Sequence, residues 1–293
     1  MGVNIISMSF HDQPVNAVLA AIRGEAEKGP DLIQLPETWN GLRPEPLDSE
    51  TTRALQKIAQ EHGVYIIHPI LRRVGDGRVF NTAVLIGRGG DVEGLYDKAY
   101  PYWDEYLQDP PITPGSEIPV FRTDFGVIGI AICFDANFPC VWEALGRQGA
   151  QVVFWSSAYS GGTALCAHAL QHHYAIITST LWNDCMQIDI TGREVYYAKD
   201  ENGILISHID LDLNREIYHE NFNMAAKTKL LREHPECVAE EIAMPREQWF
   251  VLKGAPGTDL RALAAQYGLE PLRDYKRRSR RHIDALRGEG IPC

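Results

Sequence analysis

The sequence predicts an α/β fold in which helices pack on a mixed β-sheet. Apolar runs typical of buried strands alternate with segments whose apolar residues recur at helical spacing, from the N-terminus to about residue 212. Three of these runs end in or precede a polar residue able to do chemistry, namely Glu37, Lys98 and Cys133. Because open α/β sheets present their functional groups at strand ends, we expect one active site to collect these three.

The first hundred residues follow the order β-α-β-α-β-β, which is typical of a mixed sheet covered by helices. Pro14 suits the first turn of one helix, and Asp48 or Ser49 is a suitable N-cap for the next. The glycines of residues 87–90 permit the positive φ of a turn between two strands. The expected strands are residues 3–10, 31–35, 64–70, 80–86 and 94–96, and the expected helices are residues 14–28 and 49–62.

The middle of the chain continues this pattern. Cys133 ends an apolar run that is followed by a helical segment from about residue 139, so we expect the cysteine at a strand-to-helix turn. The further strands expected are residues 118–122, 127–133, 152–156, 175–179, 186–190 and 203–209, and the helices are residues 139–147 and 163–174.

The last eighty residues form a C-terminal extension. It contains a segment at 214–231, a Pro/Glu-rich stretch at 234–246, and helices near 258–267 and 271–287. No linker or internal repeat divides the chain, so we expect a single domain over residues 1–293, with about 213–293 as an extension whose candidate role is a subunit interface.

The charge and composition limit the classes of ligand. With 293 residues, 45% hydrophobic, the chain can bury a large core. Its net charge of −11 disfavours a nucleic-acid partner, because such affinity comes largely from basic contacts to phosphate. The basic run at 276–281 is interpreted as a solvated helix face or a subunit contact. A small molecule is the expected ligand.

The N-terminus and the cysteines indicate the compartment. Residues 1–7 lack a basic region followed by a long apolar segment, which predicts a cytoplasmic protein with no membrane partner. The six cysteines, Cys293 among them, show no CxxC spacing and are expected to be reduced. A metal site built from Cys166, His168, His172 and His173 is a weaker alternative, because no complementary ligand accompanies them, and we expect none.

The three polar groups permit nucleophilic catalysis. A thiol attacks efficiently only as a thiolate, so Cys133 needs a base such as Glu37 or an environment that lowers its pKa. Attack on a carbonyl or nitrile carbon develops negative charge, which Lys98 and the backbone N–H of Phe134 could stabilise. Grouping Lys98 with Glu37 would also keep a buried ammonium charged.

The motifs around these residues resemble those of the nitrilase, or carbon-nitrogen hydrolase, superfamily, over roughly residues 3–210. The ordered motifs are Leu35-Pro36-Glu37, Tyr96-Asp97-Lys98, Pro114-Gly115, residues 123–129, Ile132-Cys133-Phe134-Asp135, Phe138-Pro139 and Gly149-Ala150. The resemblance implies an α-β-β-α sandwich, a dimer or larger homo-oligomer, and no metal or organic cofactor. It also implies a thioester route with the Glu37, Lys98 and Cys133 triad, and it makes Glu105 the candidate for a second glutamate beyond the lysine.

The sequence after the cysteine indicates the branch. Nitrile-cleaving members usually carry Trp-Glu there, whereas Cys133-Phe134-Asp135 is similar to the pattern of amidases and carbamoyl amidohydrolases. An amide or N-carbamoyl substrate is therefore favoured. Ala136 and Asn137 stand where members that bind a substrate carboxylate often carry arginines, so an N-carbamoyl amino acid bound in that way is less favoured. Other departures from the pattern are Cys140, Glu143 and Gln171-His172.

Several aromatic side chains are candidates for the substrate pocket, because they fall in loops or at strand ends near the expected site. They are Phe134, Tyr102, Trp103, Phe138, Trp155 and Tyr159. The alternatives to an amide hydrolase are a nitrilase, an acyltransferase that passes the thioester to an amine, and a non-catalytic binding or scaffold protein on the same fold.

Overall fold

The structure is a computed structural model that describes residues 2–288; Met1 and residues 289–293, Cys293 among them, lie outside the described part. Its strands are β1 (Gly2–Ser9), β2 (Leu32–Gln34), β3 (Tyr65–Arg73), β4 (Val79–Ile86), β5 (Val92–Asp97), β6 (Val120–Thr123), β7 (Gly126–Ile132), β8 (Val152–Ser157), β9 (Ala175–Thr180), β10 (Asp184–Ile188), β11 (Glu194–Lys199), β12 (Leu205–Asp212), β13 (Arg215–His219), β14 (Val238–Met244) and β15 (Trp249–Gly254). Its α-helices are α1 (Val15–Ala26), α2 (Glu50–His62), α3 (Trp103–Tyr106), α4 (Pro139–Arg147), α5 (Thr163–His172), α6 (Glu220–Glu233), α7 (Leu260–Gln266) and α8 (Leu272–Arg287).

Two six-stranded mixed sheets form the first of two compact units, Gly2–Leu211. The strand orders are β12-β1-β2-β3-β4-β5 and β11-β10-β9-β8-β7-β6. In the first sheet β1, β2 and β3 pair in parallel and β4 and β5 follow antiparallel; in the second, β7, β8 and β9 are the parallel strands. The expectation of a mixed α/β sheet is confirmed, with two sheets in place of one.

Each sheet buries an apolar face against its own pair of helices. Helices α1 and α2 pack on the first sheet through a core that includes Val18, Ile22 and Leu55. Helices α4 and α5 pack on the second through a core that includes Trp142 and Leu165. The layer order is therefore helix, sheet, sheet, helix, which confirms the α-β-β-α sandwich.

Hydroxyl groups join the facing surfaces of the two sheets. The Ser7 hydroxyl donates to the Thr178 carbonyl at 2.6 Å, and the Ser179 hydroxyl donates to the Met8 carbonyl. The Ser156 hydroxyl donates to the Leu35 carbonyl at 2.7 Å. Buried backbone carbonyls need such partners, and the last bond fixes the chain two residues before Glu37.

Residues 212–288 form the second unit, which contains more than the expected helices. Helices α6, α7 and α8 are present, but so is an antiparallel sheet in the order β13-β15-β14. Central strand β15 is largely buried, whereas edge strand β14 exposes most of its side chains, including Glu240 and Glu241. Strand β14 lies inside the Pro/Glu-rich stretch at 234–246, and that composition hid the strand from sequence analysis. This division into two compact units does not test the expectation of a single domain over residues 1–293, which stays a prediction.

Two other elements of the first unit were not expected. Strand β11 lies at an edge of the second sheet and exposes four of its six residues, so it lacks the apolar run of a buried strand. Helix α3 has only four residues and buries none of them. In the described part of the chain, none of the helices is long and apolar enough to cross a bilayer.

We predict that Ser156→Ala lowers the free energy of unfolding by about 1–3 kcal/mol, because it leaves the buried Leu35 carbonyl without its donor. Urea unfolding measures the change. The matched control is Ser116→Ala at an exposed serine, which should stay within about 0.5 kcal/mol of the wild type. Equal stabilities of the two variants would contradict the structural role of the Ser156 hydroxyl.

Candidate active site

Three strand ends of the first unit bring Glu37, Lys98 and Cys133 to the wall of one cavity. Glu37 lies three residues after β2, Lys98 directly follows β5, and Cys133 directly follows β7. All three line a cavity of about 510 Å³, a volume within the range of small-molecule sites. The structure therefore brings together the three groups that the sequence singled out.

The ammonium group of Lys98 lies between two carboxylates. Its Nζ is 2.9 Å from Oε1 of Glu37 and 2.6 Å from Oε2 of Glu105. The lysine is 1% exposed and Glu37 is 4% exposed, so the pair is shielded from water. Glu105, proposed from the family pattern, is thus in direct contact with the lysine of the triad.

Asn81 completes this cluster, and sequence analysis missed it. The Asn81 side-chain amide donates to Oε1 of Glu37 at 2.8 Å and to Oε1 of Glu105 at 2.7 Å. Its backbone carbonyl accepts from the Lys98 N–H at 2.8 Å, because β4 pairs with β5 in this register. A polar residue inside the apolar strand 80–86 was the available signal.

Opposing effects act on the Lys98 pKa. Burial alone would lower it, but Glu37, Cys133 and Glu105 together raise the pKa above the usual lysine value. The ammonium therefore stays charged at neutral pH, as a buried ion pair with good geometry requires. Gly115 allows this packing: its N–H donates to the Lys98 carbonyl, and a Cβ there would lie 2.1 Å from the Asp97 carbonyl oxygen.

Cys133 begins a short 3-10 turn, Cys133–Asn137, that leads into α4. Its φ of 46° lies in the left-handed region that non-glycine residues rarely adopt, and such strain concentrates at functional sites. The indole Nε1 of Trp155 donates to the Cys133 carbonyl at 3.1 Å, which fixes the backbone at the start of the turn. The cysteine is therefore at the strand-to-helix turn that the sequence predicts.

The surroundings of Cys133 raise the pKa of its thiol. Burial is the largest cause of a pKa raised to about 12; Glu37 raises it further, and Lys98, with hydrogen bonds from Ala158 and Ser157, lowers it. A resting thiol with this pKa attacks only if a base removes its proton during the reaction.

Asp135 ties the cysteine turn to the lysine loop. Its Oδ2 accepts from the Tyr96 hydroxyl at 2.7 Å and from the Ile132 N–H at 2.9 Å, and its Oδ1 accepts from the Tyr100 N–H at 3.0 Å. Tyr96 and Tyr100 lie two residues before and after Lys98, and Ile132 directly precedes Cys133. Burial raises the Asp135 pKa to about 6 even though the donors favour the ionised form.

Glu105 belongs to the four-residue helix α3. Its Oε2 accepts from the backbone N–H of Tyr102 at 2.6 Å as well as from Lys98. Three donors, counting Asn81, therefore fix both oxygens of this carboxylate beside the ammonium.

The six candidate aromatic residues divide into two groups. Tyr102, Phe134 and Tyr159 line the cavity. Trp103, Phe138 and Trp155 are not among the described residues that line it. Trp155 is fully buried behind the cysteine turn, and Phe138 stacks on Tyr100 with ring centroids 3.7 Å apart. Trp103 is half exposed and packs against Tyr102. A substrate contact for any of the six stays a prediction.

The histidines considered as metal ligands have structural contacts. The His168 ring nitrogen Nε2 bonds the Ala136 carbonyl at 2.9 Å, and the ring stacks on Trp142 at 4.5 Å. A different trio, His234, Glu236 and Cys237, brings donor atoms within 4.8 Å of one another in the second unit. Sequence analysis did not single out that trio.

We predict that Asp135→Asn removes a pH dependence of stability. The folded pKa of about 6 exceeds the usual 3.8, so folding favours the protonated acid, and stability present below pH 3.8 is lost as the pH rises to about 6. The free energy of unfolding of the wild type should therefore fall relative to the variant by up to about 3 kcal/mol over that range. Urea unfolding at several pH values measures both free energies of unfolding. A wild-type value that stays level or rises relative to the variant's as the pH increases would contradict the assignment.

Known proteins share the fold and parts of the sequence. The chain is 38% identical over 121 residues to beta-ureidopropionase from Arabidopsis thaliana, a match that covers 40% of this chain and 30% of that protein. It is 23% identical over 246 residues to omega-amidase NIT2 from Xenopus tropicalis, covering 73% of this chain and 89% of the relative.

A solved structure of similar fold is a mutant of the amidase from Nesterenkonia sp. AN1, which shows covalent addition of the acetamide moiety of fluoroacetamide at the active-site cysteine. It has a TM-score of 0.63 and 19% identity, and the match covers 79% of this chain and 96% of that one. A family model described as carbon-nitrogen hydrolase matches residues 11–218. The protein therefore belongs to the carbon-nitrogen hydrolase family.

Proposed function

We propose that the protein hydrolyses the C–N bond of a small amide or N-carbamoyl compound through a thioester on Cys133, releasing ammonia. The observation that carries this proposal is the shared cavity in which the buried Glu37–Lys98 pair and the cysteine meet. The names of two relatives, an omega-amidase and a beta-ureidopropionase, support the amide and carbamoyl classes. The covalent adduct in the amidase of similar fold supports a cysteine nucleophile.

Acylation begins with a proton transfer. Glu37 takes the proton from the Cys133 thiol as the sulfur attacks the carbonyl carbon, which is required because the thiol pKa is raised to about 12. The negative charge that develops on the carbonyl oxygen is stabilised by Lys98 and by the Phe134 N–H. Glu37 then donates the proton to the leaving nitrogen, so that ammonia departs and the thioester remains.

Deacylation uses the same groups in reverse. Glu37 takes a proton from a water molecule as that water attacks the thioester carbon. The tetrahedral intermediate collapses, the C–S bond breaks, and Glu37 returns its proton to the sulfur. The products are a carboxylic acid, or a carbamic acid that loses carbon dioxide, and the regenerated thiol.

The lysine has the donors that this scheme needs. An ammonium group carries three N–H donors, and two of them point to Glu37 and Glu105. The third is free of both carboxylates and can reach the oxyanion. When Glu37 is protonated, Glu105 remains as the counter-ion that keeps Lys98 charged.

The branch assignment and the assembly belong to this proposal. The Cys133-Phe134-Asp135 sequence favours an amide over a nitrile. Turnover confined to nitriles would overturn that choice. A homo-oligomer and a cytoplasmic location stay predictions, and light scattering on the purified protein measures the first.

We predict that Cys133→Ala abolishes ammonia release from an amide panel, and that Glu37→Gln and Lys98→Ala each lower kcat by about 10²–10⁴-fold, because the three groups act as one unit. Fluoroacetamide followed by peptide mass spectrometry should label Cys133 in the wild type. The control Cys166→Ala changes a cysteine outside the cavity and should keep wild-type turnover. A rate near wild type in any of the three triad variants contradicts the proposal.

We predict that Glu105→Gln lowers kcat by about 10–10³-fold with a smaller change in KM. In this variant Lys98 has no carboxylate partner left whenever Glu37 is protonated during the reaction. Steady-state ammonia release measures both parameters. The control Glu117→Gln neutralises an exposed glutamate of the same unit that does not line the cavity. Equal kcat values for the two variants would assign Glu105 no part in catalysis.

A further inference from the structure

The charged groups on the cavity wall are mostly acidic. Among the described residues that line it, the carboxylates are Glu37, Asp104 and Glu105, and Lys98 is the one cation. The Lys98 ammonium already lies within 2.9 Å of Glu37 and 2.6 Å of Glu105. Three carboxylates and one ammonium give the wall a formal charge of −2, with no basic group left for an anionic substituent.

The rest of the wall is suited to an uncharged chain. Leu42, Leu71 and Ile112 supply aliphatic surface, and Tyr102, Phe134 and Tyr159 supply aromatic rings. The neutral polar residues are Thr38, Asn137 and Gln108, with the Asn81 amide occupied by the two glutamates. A carboxylate bound here would be desolvated next to like charges, which is costly.

We infer that the cavity accepts amides whose acyl group is uncharged and rejects amides whose acyl group carries a carboxylate, with Asp104 as a residue that determines this specificity. The inference rests on the proposed function. Asp104 is exposed, directly precedes Glu105, and lines the cavity without an ion-pair partner among the described residues. Its charge is thus available to repel an anionic substrate at the cavity.

Two amides of the same shape isolate the effect of charge. Glutaramide has a second carboxamide where glutaramate has a carboxylate, so the molecules are matched in size and differ by one negative charge. Hydrolysis of glutaramide consumes one water and yields glutaramate and ammonia. The enzyme should therefore release the first ammonia from glutaramide faster than the second, and kcat/KM for glutaramate should be lower by at least about tenfold.

Variants at Asp104 test the assigned residue. Asp104→Asn should raise the ratio of kcat/KM for glutaramate to that for glutaramide by about threefold or more, and Asp104→Lys should raise it further. The control Asp91→Asn removes the same charge in the turn before β5, at the end of that strand away from Lys98, and should leave the ratio unchanged. Equal ratios in wild type and both Asp104 variants would overturn the role of Asp104.

A basic residue close in sequence to the cavity lining is the alternative candidate for binding a substrate carboxylate. Arg43 is exposed and follows the lining residue Leu42, although it is not part of the described lining. Glutaramate turnover equal to or better than that of glutaramide overturns the inference. If Arg43→Gln then removes that turnover, the arginine is the carboxylate-binding group.

A binding measurement separates this inference from the proposed function. Calorimetry on the Cys133→Ala variant compares the affinities for glutaramide and glutaramate without any chemistry. Tighter binding of glutaramide supports the charge preference even if the wild type releases no ammonia, in which case the proposed function alone fails. Equal binding, tighter glutaramate binding, or no binding of either amide overturns the inference.

Discussion

The contact of the Lys98 ammonium with two carboxylates, the buried Glu37 and the partly buried Glu105, is the interaction on which the site depends. Either glutamate alone in this cavity would be an unpaired buried charge, and the lysine alone would tend to lose its proton. Together, with the Asn81 amide donating to both acids, the groups satisfy one another at distances of 2.6–2.9 Å. The charge that the site needs is thus stabilised before a substrate arrives.

The sandwich brings these groups together from distant parts of the chain. Glu37 and Lys98 follow strands of the first sheet, whereas Cys133 follows a strand of the second. The bond from Ser156 to the Leu35 carbonyl and the bonds of Asp135 fix the two sheets' loops to each other. The same burial that makes this arrangement rigid also raises the thiol pKa, so a nearby base becomes necessary.

Sequence reasoning identified the groups at strand ends but not those whose position depends on register. Glu37, Lys98 and Cys133 are marked by their order and their flanking motifs. Asn81 gains its place only because β4 pairs with β5 so that it faces Lys98, and pairing registers are not visible in a single strand. The packing of Trp155 was not visible in the sequence either: side chains alternate along β8, so Trp155 packs toward the helices and Ser156 faces the other sheet.

We propose that Cys133 rests as a thiol and that Glu37 activates it during the reaction. Ultraviolet absorbance of thiolate, compared between the wild type and Cys133→Ala from neutral pH to about pH 9, tests it most directly. We expect no signal that depends on Cys133 over this range, because the thiol pKa is raised to about 12. A thiolate signal at neutral pH that disappears with the cysteine would contradict it.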